Sequence, residues 1–323
     1  MIAVSHLKKT FNGFTAVDDI SFSVREGETL VLLGTSGSGK TTTLKMINRL
    51  IEPTSGSIRI EGEEVRKQDP VELRKRIGYV IQEIGLFPHY TVGENIAVVP
   101  ELLHWDEPRI QRRQRELMEL VGLSPEEYLG RMPHELSGGQ QQRVGLIRAL
   151  AADPPIVLLD EPFGALDPIT RMDIRAEFKR LEHFLEKTMI LVTHDVLEAF
   201  ELGDVICLMD SGRIQQLGTP KELLFAPATN FVRDFLKGTR LQLELQTLTL
   251  RDIAPQIKPM DISPDQTFEF AGETSLYEVL ETVEHAEAGQ PAVRISEQST
   301  AGHKFSPQAI LQAFYSVRDT IEL

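Results

Sequence analysis

The sequence has one cysteine, Cys207, among 323 residues, so an intramolecular disulfide is excluded. Cys207 lies in the apolar stretch Val205-Ile206-Cys207-Leu208-Met209 and reads as a small buried hydrophobe rather than a reactive thiol. Positive charge is also short: 34 Lys and Arg stand against 48 Asp and Glu, a net charge of −14. Phosphate backbones attract basic patches, so this balance argues against a nucleic-acid partner. No apolar run approaches the roughly 20 residues that cross a bilayer. The start, Met1-Ile2-Ala3-Val4-Ser5-His6, lacks the charged-then-apolar layout of a signal peptide. The chain is expected to stay in the cytoplasm, with any membrane part supplied by another subunit.

What is present is ordinary globular material, 41% hydrophobic and 25% charged, enough for one large domain or two smaller ones. Ile20, Phe22 and Val24 alternate with polar residues, as do Ile58 and Ile60 ahead of Glu61-Gly62, predicting strands with one buried face. Residues 29–33 form a short apolar run, followed by Leu44, Ile47 and Ile51 at helical spacing. Asp106, Pro108, Leu117, Leu120, Val121 and Gly122 predict a capped amphipathic helix. A second helix is predicted over 139–152, ending before Pro154-Pro155. Residues 156–159 are apolar throughout, as in a parallel strand buried on both faces. A long helix after Asp167, a strand over 189–193 and a hairpin at Asp210-Ser211-Gly212 follow. The succession predicts an α/β domain with a mostly parallel sheet and a helical insertion near residues 85–150.

The run Gly34-Thr35-Ser36-Gly37-Ser38-Gly39-Lys40-Thr41 satisfies G-x-x-x-x-G-K-[ST] between the apolar strand and the periodic helix. Glycines permit the backbone turns that aim successive N–H groups at a phosphate, and the following helix adds the positive end of its dipole. Lys40 is placed to reach the β- and γ-phosphates of a nucleotide, and the Thr41 hydroxyl to bind Mg²⁺. Together with Thr42 these residues form the candidate nucleotide-binding set. The full G-x-G-x-x-G spacing is missing, so a dinucleotide reading is weak.

A phosphate loop alone names a ligand, not a reaction. Ile156-Val157-Leu158-Leu159-Asp160-Glu161 delivers two carboxylates at a strand end, where α/β sheets bind ligands. Asp160 suits the Mg²⁺ shell, and Glu161 suits orienting or deprotonating a water. Thr193-His194-Asp195 ends another strand and offers an imidazole to the γ-phosphate. Taken singly, an Asp-Glu pair is often a solvated turn and a lone histidine is often structural. Their order after the phosphate loop favours Glu161, His194 and Lys40 as catalytic candidates.

With Leu136-Ser137-Gly138-Gly139-Gln140 added, the chain resembles the nucleotide-binding subunit of an ATP-binding-cassette (ABC) transporter over roughly residues 1–237. The resemblance implies that Ser137, Gly138, Gly139 and Gln140 form a signature motif that contacts ATP held by a second ATP-binding subunit, so a dimer of identical chains encloses two nucleotides. It implies that Gln82 is the glutamine joining the ATP site to the helical insertion and a further ligand of Mg²⁺. It implies that Gly164-Ala165-Leu166-Asp167 crosses the dimer interface, that His194 is the switch histidine and that Phe11, with Phe14 close by, stacks on adenine. Permease subunits in the membrane, contacted at its cytoplasmic face, and indirectly a substrate-binding protein are the implied partners. A kinase or GTPase would lack the signature. A non-transport ABC ATPase usually carries two cassettes or long coiled-coil insertions.

A narrower resemblance rests on Ile77-Gly78-Tyr79-Val80-Ile81-Gln82, Ile84-Gly85-Leu86-Phe87-Pro88-His89 and Asn95-Ile96-Ala97-Val98-Val99-Pro100-Glu101-Leu102-Leu103-His104-Trp105. These look like the quaternary-amine uptake group, which imports glycine betaine, choline, carnitine or proline-type osmoprotectants. An importer of another small solute, such as an amino acid, is the alternative. The boundary is expected at 237/238. Residues 241–323 hold 13 acidic and 5 basic residues, so −8 of the total −14 sits there. Ser275-Leu276-Tyr277-Glu278 predicts a capped helix, residues 291–295 a strand, and Ser306-Pro307 the start of another helix. This small α+β module resembles a single CBS-like unit, implying a regulatory or dimer-stabilising role.

Overall fold

Strands whose two faces are both covered need apolar residues at every position, and this requirement locates the central sheet. In the computed structural model the described residues are all but 83–84, 165, 168–170, 173, 176–177, 179–186, 258–265, 285–290, 297–303 and 322–323. They divide into two compact units, Met1–Leu217 and Gly218–Leu323.

In the first unit the elements are β1 (Ile2–Phe11), β2 (Phe14–Val24), β3 (Thr29–Gly34), α1 (Lys40–Ile47), β4 (Ser55–Ile60), β5 (Glu63–Glu64), α2 (Pro70–Lys75) and β6 (Ile77–Val80). They continue with α3 (Val92–Leu102), α4 (Glu107–Leu120), α5 (Pro125–Tyr128), α6 (Gly138–Leu150), β7 (Ile156–Asp160), β8 (Thr188–Thr193), α7 (Val196–Leu202), β9 (Val205–Asp210) and β10 (Arg213–Gly218). Six strands form one sheet in the order β10-β9-β3-β8-β7-β6. The pairs β9/β3, β3/β8, β8/β7 and β7/β6 are parallel. Every residue of β3, β7 and β8 is buried.

A second sheet, β2-β1-β4-β5, is antiparallel. It takes in the alternating strands at Ile20 and Ile58. Ile2, Val4, Phe22, Ile58 and Ile60 join Leu30, Leu158 and Ile190 in one core. The helices α3 to α6 lie between Gln82 and β7, in the stretch where a helical insertion was expected.

The helix predicted through Ile51 stops sooner. Its last residue is Ile47, and Arg49 takes φ +51°, which ends the helix. Ile51 still packs on the same core from the turn that follows. Of the helix expected after Asp167, the described positions Arg171, Met172, Ile174, Arg175 and Phe178 are helical. Among the described residues no helix is long and apolar enough to cross a membrane.

The second unit contains α8 (Pro220–Phe225), α9 (Asn230–Leu236), α10 (Arg240–Thr247), α11 (Leu250–Ile253), β11 (Gln266–Phe270), α12 (Leu276–Glu284), β12 (Pro291–Ile295) and α13 (Pro307–Ile321). β11 and β12 pair in parallel. Its core joins Leu250, Ile253, Leu276, Val279, Val293, Ile310 and Phe314, with Phe225 of α8 packed against it. The units thus part at 217/218, earlier than the expected 237/238, because α8 packs with the later helices. β11 precedes the helix that leads to β12, and Phe305 makes an isolated bridge to Val293.

Candidate nucleotide site

Gly34 ends β3 and Lys40 begins α1, so the loop between them hangs from the sheet's centre. Gly34 has φ +152°, and a Cβ there would lie 2.0 Å from the Met209 carbonyl oxygen. Gly39, the α1 N-cap, has φ +99°, and its Cβ would lie 2.5 Å from the Ala16 carbonyl oxygen. Backbone contact on both sides leaves room for glycine alone. The Thr35 hydroxyl donates to Asp210 Oδ1 at 3.1 Å, tying the loop to the end of β9.

Lys40 is buried and folds over this loop. Its Nζ donates to the Gly34 and Thr35 carbonyl oxygens at 2.9 and 2.8 Å and to Ser38 Oγ at 3.4 Å. Burial pushes the Lys40 ammonium below its usual value, while the charges of Glu161 and Asp160 oppose that. The Thr41 hydroxyl donates to Asp160 Oδ1 at 2.7 Å. Burial pushes the Asp160 carboxyl up, and the Thr41 hydrogen bond works against it. Thr41 and Asp160 therefore bring together two oxygen donors of the kind hard divalent cations take.

Because β7 and β8 are neighbours with Asp160 opposite Val192, the residues that follow them meet. Glu161 donates its backbone N–H to the Val192 oxygen at 2.9 Å and takes φ +47°. A left-handed non-glycine residue is uncommon and costs about 1–2 kcal/mol. Here it turns the carboxylate toward two partners. His194 Nδ1 lies 3.3 Å from Glu161 Oε2, and Gln82 Nε2 donates to the same oxygen at 3.4 Å. The imidazole remains 60% exposed and the carboxylate 20%. Gln82, Glu161 and His194, separated widely in sequence, thus form one cluster.

Other expected residues make contacts of their own. Phe11 is 42% exposed at the end of β1, opposite Phe14, with Lys9 Nζ 4.7 Å from its ring centroid. Ser137 caps α6 in a capping box: Gln140 N donates to Ser137 Oγ at 3.3 Å, and Ser137 N to Gln140 Oε1 at 2.9 Å. Gln140 Nε2 donates to the Tyr128 hydroxyl at 3.1 Å, so the signature end is fixed inside the helical insertion. Gly138 has open space around its Cβ position. Gly164 N donates to the Glu161 oxygen at 3.1 Å, whereas Ala165 lies outside the described residues, as does Ile84.

Some contacts are not visible in sequence motifs. Gln142, buried on α6, donates to the Pro162 carbonyl oxygen beside Glu161. Asn95 is fully buried and accepts from Phe87 N at 2.8 Å while donating to the Phe87, Tyr90 and Thr91 oxygens at 3.2, 3.1 and 2.9 Å. A polar residue on the apolar face of α3 was the one available signal. A separate cavity of about 890 Å³ is lined by His6, Lys8, Asp18, Asp19 and Arg213, and contains none of the phosphate-loop groups. Its charges are paired: Lys8 and Arg213 on Asp18, and His6 on Asp19.

Fold and site define a P-loop ATPase of the cassette kind. A family model described as ABC transporter matches residues 17–164. The chain is 51% identical over 268 residues to the glycine betaine/carnitine/choline transport ATP-binding protein OpuCA of Bacillus subtilis (strain 168), covering 83% of this chain and 70% of that protein. It is 52% identical over 258 residues to the glycine betaine uptake system ATP-binding protein YehX of Escherichia coli (strain K12), covering 80% and 83%. Among solved structures, a dimeric post-hydrolysis state of the ATP-binding cassette MJ0796 bound to ADP and Pi matches with a TM-score of 0.62 and 33% identity, over 68% of this chain and 98% of that one. The chain belongs to the ABC transporter ATP-binding proteins. It binds ATP and is an ATPase.

Proposed function

We propose that this chain powers an importer of small quaternary-amine osmoprotectants, of the glycine betaine, choline or carnitine class, by hydrolysing ATP at the cluster around Glu161. The observation that carries the chemistry is the convergence of Gln82 and His194 on one oxygen of Glu161. The cargo class is supported by the cargoes for which relatives at 51–52% identity are named.

In this reading the backbone N–H groups of residues 34–41 and Lys40 hold the phosphates. Thr41 and Asp160 would hold Mg²⁺, whose hard-oxygen preference their oxygens fit, with Gln82 as a further ligand. Mg²⁺ bound there would neutralise charge on the phosphate oxygens. Glu161 accepts a proton from water as the water oxygen bonds to the γ-phosphorus. The bond from that phosphorus to the bridging oxygen breaks, leaving ADP and phosphate. His194 holds Glu161 in place and faces the γ-phosphate. Lys40 stabilises charge that develops in the transition state. Phe11 stacks on adenine.

The signature residues Ser137, Gly138, Gly139 and Gln140 complete the site of a second copy. Permease subunits in the membrane dock on the helical insertion, holding the chain at the cytoplasmic face. Phe87, Tyr90 and Leu102, which are 47%, 45% and 57% exposed, support that surface. The acidic C-terminal module has a regulatory or dimer-stabilising role, supported by its separate core.

Uptake of labelled glycine betaine, choline and carnitine by cells carrying the intact system tests the proposal. Replacing the wild-type chain by Glu161→Gln is expected to abolish uptake of at least one of these amines. Unchanged uptake of all three would contradict it.

A further inference from the structure

Glu198 is 3% exposed and has no part in the chemistry above. It lies one helical turn beyond His194, on α7. Burying a carboxyl costs free energy unless its hydrogen bonds are replaced. Here they are replaced by the turn that carries His194. The Thr193 hydroxyl, itself buried, donates to Glu198 Oε2 at 2.5 Å and accepts from Asp195 N at 3.0 Å. Asp195 Oδ1 accepts from the N–H groups of Leu197 and Glu198 at 2.8 and 3.3 Å, capping α7.

Both residues flanking His194 are thus fixed through side chains, and the series of bonds ends on Glu198. A second tie reaches the same turn. Arg171 Nη1 lies 3.8 Å from Asp195 Oδ2, and its Nη2 donates to the Leu166 oxygen at 3.1 Å. Arg175 pairs with Glu201, on the next turn of α7, at 2.8 Å. Burial is the largest influence on the Glu198 carboxyl and pushes its pKa up, while the Thr193 hydrogen bond opposes the shift. The imidazole in the middle of this turn is well exposed, so its own packing does little to hold it. Its placement beside Glu161 comes from the backbone, and the backbone is held by Thr193.

We propose that Glu198 and Thr193 are positioning residues for ATP hydrolysis: the buried carboxyl holds the Thr193 hydroxyl, the hydroxyl fixes the turn, and the turn holds His194 against Glu161. This rests on the role given to His194 above. Both residues are buried, and their effect is carried through the turn to the imidazole.

A double-mutant cycle on the full chain tests this, with steady-state ATPase rates for wild type, Glu198→Ala, His194→Ala and the double variant. Glu198→Ala is expected to lower kcat by about tenfold, the effect of one lost buried hydrogen bond, with KM for ATP unchanged. In the His194→Ala background the same substitution is expected to have no further effect. Glu198→Gln keeps an acceptor for the Thr193 hydroxyl and is expected to recover most of the loss. Thr193→Ser is expected to do the same relative to Thr193→Val. Losses that multiply in the double variant, or a wild-type rate for Glu198→Ala, would overturn the proposal. If Glu198→Ala does not fold, the same cycle run with Thr193→Val decides it by the same criterion. A wild-type rate for His194→Ala would instead refute the role of His194 itself, which separates the two failures.

Discussion

At Gly34 the chain ends a buried strand and begins a phosphate loop within van der Waals contact of β9. A methyl group there would meet the Met209 carbonyl oxygen at 2.0 Å, and neither backbone can yield without moving a central strand. At Gly37 the φ of +78° also favours glycine, but nothing lies within 4 Å of its Cβ position. The two glycines therefore separate steric from conformational cost. Gly34→Ala is expected to lower unfolding free energy by about 1–3 kcal/mol through overpacking. Gly37→Ala is expected to cost about 1 kcal/mol, from its backbone conformation alone. Urea unfolding of both variants checks this, and equal losses would show that the close approach to Met209 is not what selects Gly34.

α3 shows how an element shapes a loop. Thr91 caps it, with Glu94 N donating to Thr91 Oγ1 at 3.2 Å and Thr91 N to Glu94 Oε2 at 2.7 Å. One turn on, Asn95 closes the 87–91 loop onto the helix and leaves Phe87 and Tyr90 facing outward, their rings 5.4 Å apart. Asn95→Ala leaves buried backbone groups unpaired, at a cost of about 1–3 kcal/mol. It is expected to speed amide exchange in residues 87–91 while leaving ATP affinity unchanged, as hydrogen-exchange mass spectrometry can show. Unaltered exchange there would remove Asn95 as the organiser of this surface. The sequence was legible where burial alone decides, as in β3, β7 and β8, and at the capped start of α4, where Arg109 N donates to Asp106 Oδ1 at 2.9 Å. The loop at residues 34–41, between β3 and α1, was legible because phosphate-binding motifs have fixed residue types at fixed spacing. Asn95, Gln142 and Glu198 were not, because their partners come from other turns and elements and leave no periodic trace. The meeting of Gln82 with Glu161 was legible only through the family resemblance, because it depends on β6 lying beside β7 in a parallel sheet whose strand order composition cannot dictate.

Across the whole chain, the two segments proposed to meet phosphate are built on separate frames. Residues 34–41 hang from the central sheet, and Ser137 opens α6 inside the helical insertion, bonded to its own neighbours. The boundary of the second unit was misjudged from composition because α8 and α9 are not themselves acidic. Packing of Phe225 into the C-terminal core, not charge, assigns α8 to that unit. The acidity of residues 241–323 still marks most of that unit as a surface unlike the cassette's. On the proposed function, Glu161 performs hydrolysis in a site completed by a second copy. The most direct test is the mass of Glu161→Gln by light scattering, with and without ATP, alongside its turnover. ATP is expected to convert this variant to a stable dimer with bound ATP and almost no hydrolysis. Wild-type turnover, or a monomer that holds ATP without dimerising, would contradict it.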